Sequence, residues 1–257
     1  MDLNHIYSIA WKEYQEHRIR IIIILFTVPV ISSLFFLPSL FSGAGLLDDL
    51  IQKYDAMYSI YPPVLRRQMI LVDFQFPIYL LIPAFASPFF GILEGIIGEK
   101  DGRTLESLLA LPVNRWEILF GKVGLSITAA VLISWFVYVF HLVLFEFFFG
   151  SELALHLLAL KWLLICLLLV PAIIYMISII ATLIAMRVRK VQTAVNWSTV
   201  LFTPVFILLI GIGTDQIPLD TNILIYSGAG LVLSGGMMTW IVKRQFSIER
   251  LILGMYD

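Results

Sequence analysis

Gly98–Lys122 reads GEKDGRTLESLLALPVNRWEILFGK and is the longest well-charged segment between two long apolar runs. An acidic-basic entry, Glu99-Lys100-Asp101, leads into a short amphipathic stretch at Thr104–Leu111. Leu105, Leu108 and Leu109 fall three and four residues apart, so in a helix they share one face. Pro112 ends that helix, because it lacks an N–H and its ring clashes with the turn before it. Asn114 then reads as an N-cap and Glu117 as the third helical position of a capping box. Val113 and Ile118 sit where a hydrophobic staple would place them. The segment predicts a short surface helix, a stop and a capped restart.

The sequence on either side is that of a membrane protein. Of 257 residues, 60% are hydrophobic and only 14% charged, and the mean hydropathy is +0.94. Soluble domains run about half apolar and about a quarter charged. About 20 helical residues cross a hydrocarbon core of roughly 30 Å, and six runs meet that length. The fold class expected is therefore all-α, a polytopic membrane protein with one transmembrane domain over residues 1–257. The spans are expected at 19–41, 76–97, 121–147, 158–186, 193–213 and 222–242, with a loop at 98–120. Pro29, the trio Pro77, Pro83 and Pro88, then Pro171 and Pro204 lie inside these spans. Such prolines are tolerated where neighbouring protein satisfies the freed carbonyls, so the second span should be irregular and well packed. Gly228, Gly230, Gly235 and Gly236 would let the sixth span approach its neighbours closely. Leu46–Tyr54 predicts a short amphipathic surface helix ended by Tyr61-Pro62-Pro63.

Residues 1–18 hold an amphipathic helix. Leu3, Ile6, Tyr7, Ala10, Trp11 and Tyr14 form one stripe, with Asn4, His5, Lys12, Glu13 and Glu16 facing away. Its aromatics suit the headgroup region, which predicts an interfacial helix. A secretory signal is the competing assignment, but its leading region would be long and acidic and the apolar run after it too long. Of the 17 Lys and Arg, all but Lys53, Arg66, Arg67 and Lys161 fall on the same side as the N-terminus. That asymmetry predicts both termini, and Gly98–Lys122, in the cytoplasm. The single Cys166 lies in an apolar run and excludes an intrachain disulfide.

Chemistry is scarce. There is no G-x-x-x-x-G-K-[ST] loop, and the glycines near 228–236 lack the following Lys, so ATP binding by this chain is not expected. No H-E-x-x-H or G-x-S-x-G sequence occurs, and no catalytic residue, metal site or bound cofactor is expected. The net charge of −1 offers nothing for nucleic acid. Two ionisable residues within spans are candidates because burial of such groups in a membrane is costly. Glu94 either pairs with Lys100 or Arg103 near the membrane surface or contributes to a transport path. His141 either bonds between helices or relays protons, with no acidic neighbour close in sequence. The Leu105/Leu108/Leu109 helix either simply rests on the lipid surface or docks a soluble partner through its polar face, which includes Arg103, Glu106 and Ser107.

The order Glu99, Thr104-Leu105-Glu106, Leu108-Leu109, Pro112, Arg115, Glu117 and Gly121-Lys122 resembles the membrane subunits of ABC-type exporters of the second permease class. That family often has Gly directly before the Thr, where this chain has Arg103 with Gly102 one place earlier. The interfacial start, the basic Arg187–Asn196 stretch and the Phe246–Leu251 ending are similar to the family as well. The resemblance implies that Thr104–Leu111 is a cytoplasmic coupling helix and that these motif residues couple to an ATPase. It further implies cytoplasmic ATPase subunits carrying ATP and Mg, and a second permease, identical or paralogous, side by side in the cell membrane. Substrate would then cross by alternating access. An ATP-independent secondary transporter or channel is the alternative, but it would need a coupling or selectivity site that the spans scarcely offer.

Overall fold

A computed structural model describes residues 3–42, 48–101, 115–188 and 220–245, with 192, 193, 196 and 207 as isolated positions. Every element among them is helical: α1 (Leu3–Ser42), α2 (Asp48–Tyr54), α3 (Pro63–Asp101), α4 (Arg115–Phe149), α5 (Ser151–Leu157), α6 (Leu160–Leu164), α7 (Val170–Arg187) and α8 (Thr221–Gln245). Five stretches among the described residues are long and apolar enough to cross a membrane: Leu3–Leu34, Pro63–Glu99, Trp116–Phe149, Leu160–Arg187 and Thr221–Val242. Each overlaps one of the expected spans, with different bounds. Isolated positions aside, the span expected at 193–213 lies outside the described residues. So do Thr104, Leu105, Glu106, Leu108, Leu109, Pro112 and Asn114.

Two helices are longer than the apolar pattern suggested. The expected interfacial helix and first span are one helix of 40 residues. Nothing in His17-Arg18-Ile19-Arg20 would break it, for these residues propagate a helix adequately and extension is easier than a new start. Likewise α3 begins at Pro63, well before the apolar run. Proline suits a first helical position because its missing N–H would be unpaired there anyway. Its 39 residues reach about 58 Å at 1.5 Å per residue, nearly twice a hydrocarbon core. Both helices therefore carry polar side chains beyond any span.

The N-terminal part of α1 also faces the opposite way from a simple polar-out pattern. Tyr7, Trp11 and Leu3 are exposed while Glu13 is buried. Tyr7 stacks on Trp11 and Trp11 packs on Tyr14, an outward aromatic ladder suited to headgroups. Ile6, Ile9 and Glu13, three and four residues apart, share the inward face with the neighbouring helices.

The bundle is arranged around α3. It packs against α4 on one side and α7 on another, α1 lies chiefly along α4, and α8 lies along α7. The most apolar window of α3 is 73% buried, against 17% for those of α1 and α8, so α3 is the centre and the other two the periphery. Pro77, Pro83 and Pro88 thus sit in the helix best surrounded by protein. Between α6 and α7 the helix widens into a π turn at Ile165–Leu169, directly before Pro171. A widened turn there accommodates the carbonyl that the proline cannot bond. On α8, a Cβ at Gly235 would fall 2.7 Å from the Tyr175 ring of α7 and one at Gly228 2.8 Å from Leu168 of the π turn, so these glycines let α8 approach both. Among the described residues, nothing lies within 4 Å of a Cβ placed at Gly230 or Gly236.

Candidate functional site

Polar side chains gather at opposite ends of this bundle. At the end where α3 leaves for the 102–114 segment and α4 returns from it, Lys122 is buried with its ammonium fully engaged. It donates to Glu13 Oε1 of α1, to Glu99 Oε1 of α3 at 2.7 Å and to the Gly95 carbonyl of α3 at 3.2 Å. An ammonium has three N–H donors, and three helices are joined by using all of them. His17 Nε2 lies 3.6 Å from the other Glu13 oxygen. Five residues before Lys122 on α4, buried Glu117 faces His5 Nδ1 of α1 at 3.1 Å. Glu117 is in the first turn of α4, where the helix N-terminus favours a carboxylate.

Gly121 explains how α1 reaches this cluster. A Cβ there would lie 2.8 Å from Ile9 Cγ2 and 3.2 Å from the Ile6 carbonyl. The Gly-Lys pair thus has two tasks: glycine brings α1 onto α4, and lysine ties both to α3. Glu99 and Glu117 of the sequence motif are brought into this cluster. Arg115 is the first residue of α4; Glu94 lies within α3. Glu13, His5 and His17 were not among the sequence candidates. Glu13, Glu16 and His17 offer ligand atoms within 4.8 Å of one another, but Lys122 already supplies the cation that Glu13 faces.

At the other end, Asp73 of α3 takes the central place. His156 Nε2 of α5 contacts Asp73 Oδ1 at 2.9 Å, Lys161 Nζ of α6 lies 3.3 Å from Oδ2, and the Tyr58 hydroxyl donates to Oδ2. Burial, and then the Asp73 charge, hold the Tyr58 phenol well above its ordinary pKa. The Tyr58 ring meets His156 edge-on, and nearby Arg66 pairs with Asp55 at 2.6 Å. Gly150, with φ of +88°, makes the turn that sends α5 back toward α3. These residues were not sequence candidates either, since their charges stand in separate segments of apparently solvated loop.

His141 lies buried between α4 and α1. Its Nδ1 pairs with the Val137 carbonyl at 2.8 Å and its Nε2 lies 3.4 Å from Ser32 Oγ. Phe76, Phe140 and Phe145 surround the ring. The imidazole bonds within its own helix and toward α1, in apolar surroundings.

A cavity of about 270 Å³ separates α1, α3 and α4 and is lined by Glu13, His17, Arg20, Lys122 and Ser126 as well as by apolar side chains. The sequence model described as ABC-2 family transporter protein matches residues 7–224. No curated protein and no solved structure matches the chain.

Proposed function

Because the chain belongs to the ABC-2 transporter family, as a membrane component and not the ATPase, we propose that it is the transmembrane subunit of an ATP-driven exporter. Separate cytoplasmic ATPase subunits bind ATP and Mg and hydrolyse the nucleotide, and this chain lines the path beside a second copy or a paralogue. Both termini and the 98–120 loop face the cytoplasm, as the lysine and arginine distribution favours. Thr104–Leu111 docks on the ATPase through Arg103, Glu106 and Ser107, and its movement is passed to the spans.

The observation that supports this reading best is the Lys122 junction. The two helices that flank the loop are joined to each other and to α1 immediately beside it, through Glu99, Glu13 and Lys122. A push on the loop therefore moves three helices as a unit instead of bending one. Packed elements with buried polar ties transmit displacement in this way because they deform little.

Leu108→Asp tests the proposal. It places a charge on the face that Leu105, Leu108 and Leu109 would share in a helix, and it lies outside every expected span. The variant should reach the membrane in near-normal amount but lose its co-purifying ATPase or the transport-linked hydrolysis. A Leu108→Asp complex that keeps its ATPase and transports at the wild-type rate would overturn the docking role and favour ATP-independent transport.

A further inference from the structure

We propose that the π turn at Ile165–Leu169 is a two-register switch within the Leu160–Arg187 span, latched in its π form by Trp135 of α4. This goes beyond the export reading and does not depend on it. In the π turn the Val170 N–H bonds five residues back, to the Ile165 carbonyl. The next bond of that kind would join residue 171 to the Cys166 carbonyl, but Pro171 has no N–H. Trp135 Nε1 takes its place and donates to the Cys166 carbonyl at 3.0 Å. Trp135 is midway between Lys122 and Phe149 on α4, about 20 Å from either at 1.5 Å per residue. Tryptophan ordinarily collects at the two membrane surfaces, where its N–H meets water or headgroups. At this depth the indole N–H and the carbonyl freed by the proline lack water, so each satisfies the other.

The second register is an ordinary α-helix. There the Val170 N–H would bond four residues back, to Cys166, and Pro171 would stand opposite the Leu167 carbonyl. The proline thus strands one carbonyl in either register, Cys166 in the first and Leu167 in the second, and Trp135 serves Cys166. With the indole in place the π register is preferred; without it each register leaves one carbonyl unpaired and the two draw level. Such a change is discrete, as a two-state element requires, and π turns recur at functional sites. It would be felt at the Asp73 cluster. A π turn holds about one residue more than an α turn, so closing it rotates α6 by roughly 100°. α6 bears Lys161, 3.3 Å from Asp73 Oδ2, and Trp162, whose ring meets Phe76 edge-on. Both contacts would be unmade, so the register at mid-span and the far-end cluster change together.

Cys166 is the single cysteine of the chain, so cysteine labelled with ¹³C at its carbonyl marks that one acceptor. The test is solid-state NMR of the full-length protein in liposomes, reading the ¹³C–¹⁵N coupling from this carbonyl. One sample carries ¹⁵N in the tryptophan indoles and another ¹⁵N-valine. In the wild type the carbonyl should couple to an indole nitrogen, with Val170 coupled weakly. Trp135→Phe should abolish the first coupling and strengthen the second. Pro171→Ala keeps the indole but restores an N–H, so the turn should close and the carbonyl should pass from Trp135 to Val170. A wild type without indole coupling would overturn the latch. Val170 coupling that stays at the wild-type value in the folded variants would overturn the switch and leave a fixed kink; if one variant does not fold, the other decides. None of these readouts needs the ATPase, so failure here and failure of the export reading are separable.

Discussion

The two polar clusters of this bundle are built on inverse plans. At the loop end a buried cation, Lys122, sits between two carboxylates and a carbonyl. At the far end a carboxylate, Asp73, sits among an imidazole, an ammonium and a phenol. In each, one residue takes all the partners, so its loss strands several groups at once. Their reach differs. Lys122 joins α1 to α3 and α4, which flank the segment proposed to dock the ATPase. Asp73 joins α3 to α5, to the turn after α2 and to α6, the start of the Leu160–Arg187 span. Exposure differs too. The Lys122 and Glu13 side chains are 5% and 7% exposed, while Lys161 is 29% exposed and can still reach water. The loop end therefore depends on its ion pair more strictly than the far end does.

Lys122→Met should break the comparison hardest. Two carboxylates would remain buried without their cation, and removing one partner of a buried pair costs about 3–5 kcal/mol. The thermal midpoint of the purified protein should fall sharply, and Glu13→Gln in the same chain should recover a good part of it. A single Lys122→Met variant as stable as wild type would show that the ammonium is not the tie.

Asp73→Asn should do less. Asparagine keeps one acceptor oxygen, which can face His156, and its NH2 can donate to the Tyr58 hydroxyl, while Lys161 can turn its amine toward solvent along its flexible stem. The cost expected is that of weakened hydrogen bonds to a charged group, about 1.5–3 kcal/mol. ATPase association should be unaffected, in contrast to Leu108→Asp. Loss of the ATPase from a stable Asp73→Asn protein would mean that the two ends are coupled through α3 and that the division between them is wrong.

The all-α fold was legible in the sequence because span length and turn chemistry are local properties. Tyr61-Pro62-Pro63 marks a boundary before α3 by the conformation its prolines favour. The clusters were not legible, because their members are far apart in the chain. Glu13 and Lys122 belong to separate helices, and no periodicity within α1 names a partner on α4. Glu13 was misassigned to the solvent face because its neighbours Lys12 and Glu16 are polar. The row Ile6, Ile9 and Glu13 was the available signal: a carboxylate in line with two isoleucines one turn apart. Gly121 was a second, since a glycine early in an apolar helix invites a crossing. The continuity of α1 was missed for another reason. A polar stretch followed by an apolar one changes which medium surrounds a helix without ending it.

The smallest effect should come from His5→Ala, at the margin of the loop-end cluster. His5 is 44% exposed and meets Glu117 at 3.1 Å, and a contact so open to solvent contributes about 0–1 kcal/mol. Glu117 does not rely on it alone, because the first turn of α4 favours a carboxylate by about 0.3–1 kcal/mol. The thermal midpoint of His5→Ala should therefore move only slightly, and the co-purifying ATPase should be retained. Ile9 and Gly121 would still hold α1 against α4, and Lys122 would still hold α3. A loss in His5→Ala equal to that in Lys122→Met would reverse this ranking. It would mean that the N-terminal turn of α1, and not the ammonium in the middle, keeps the three helices together.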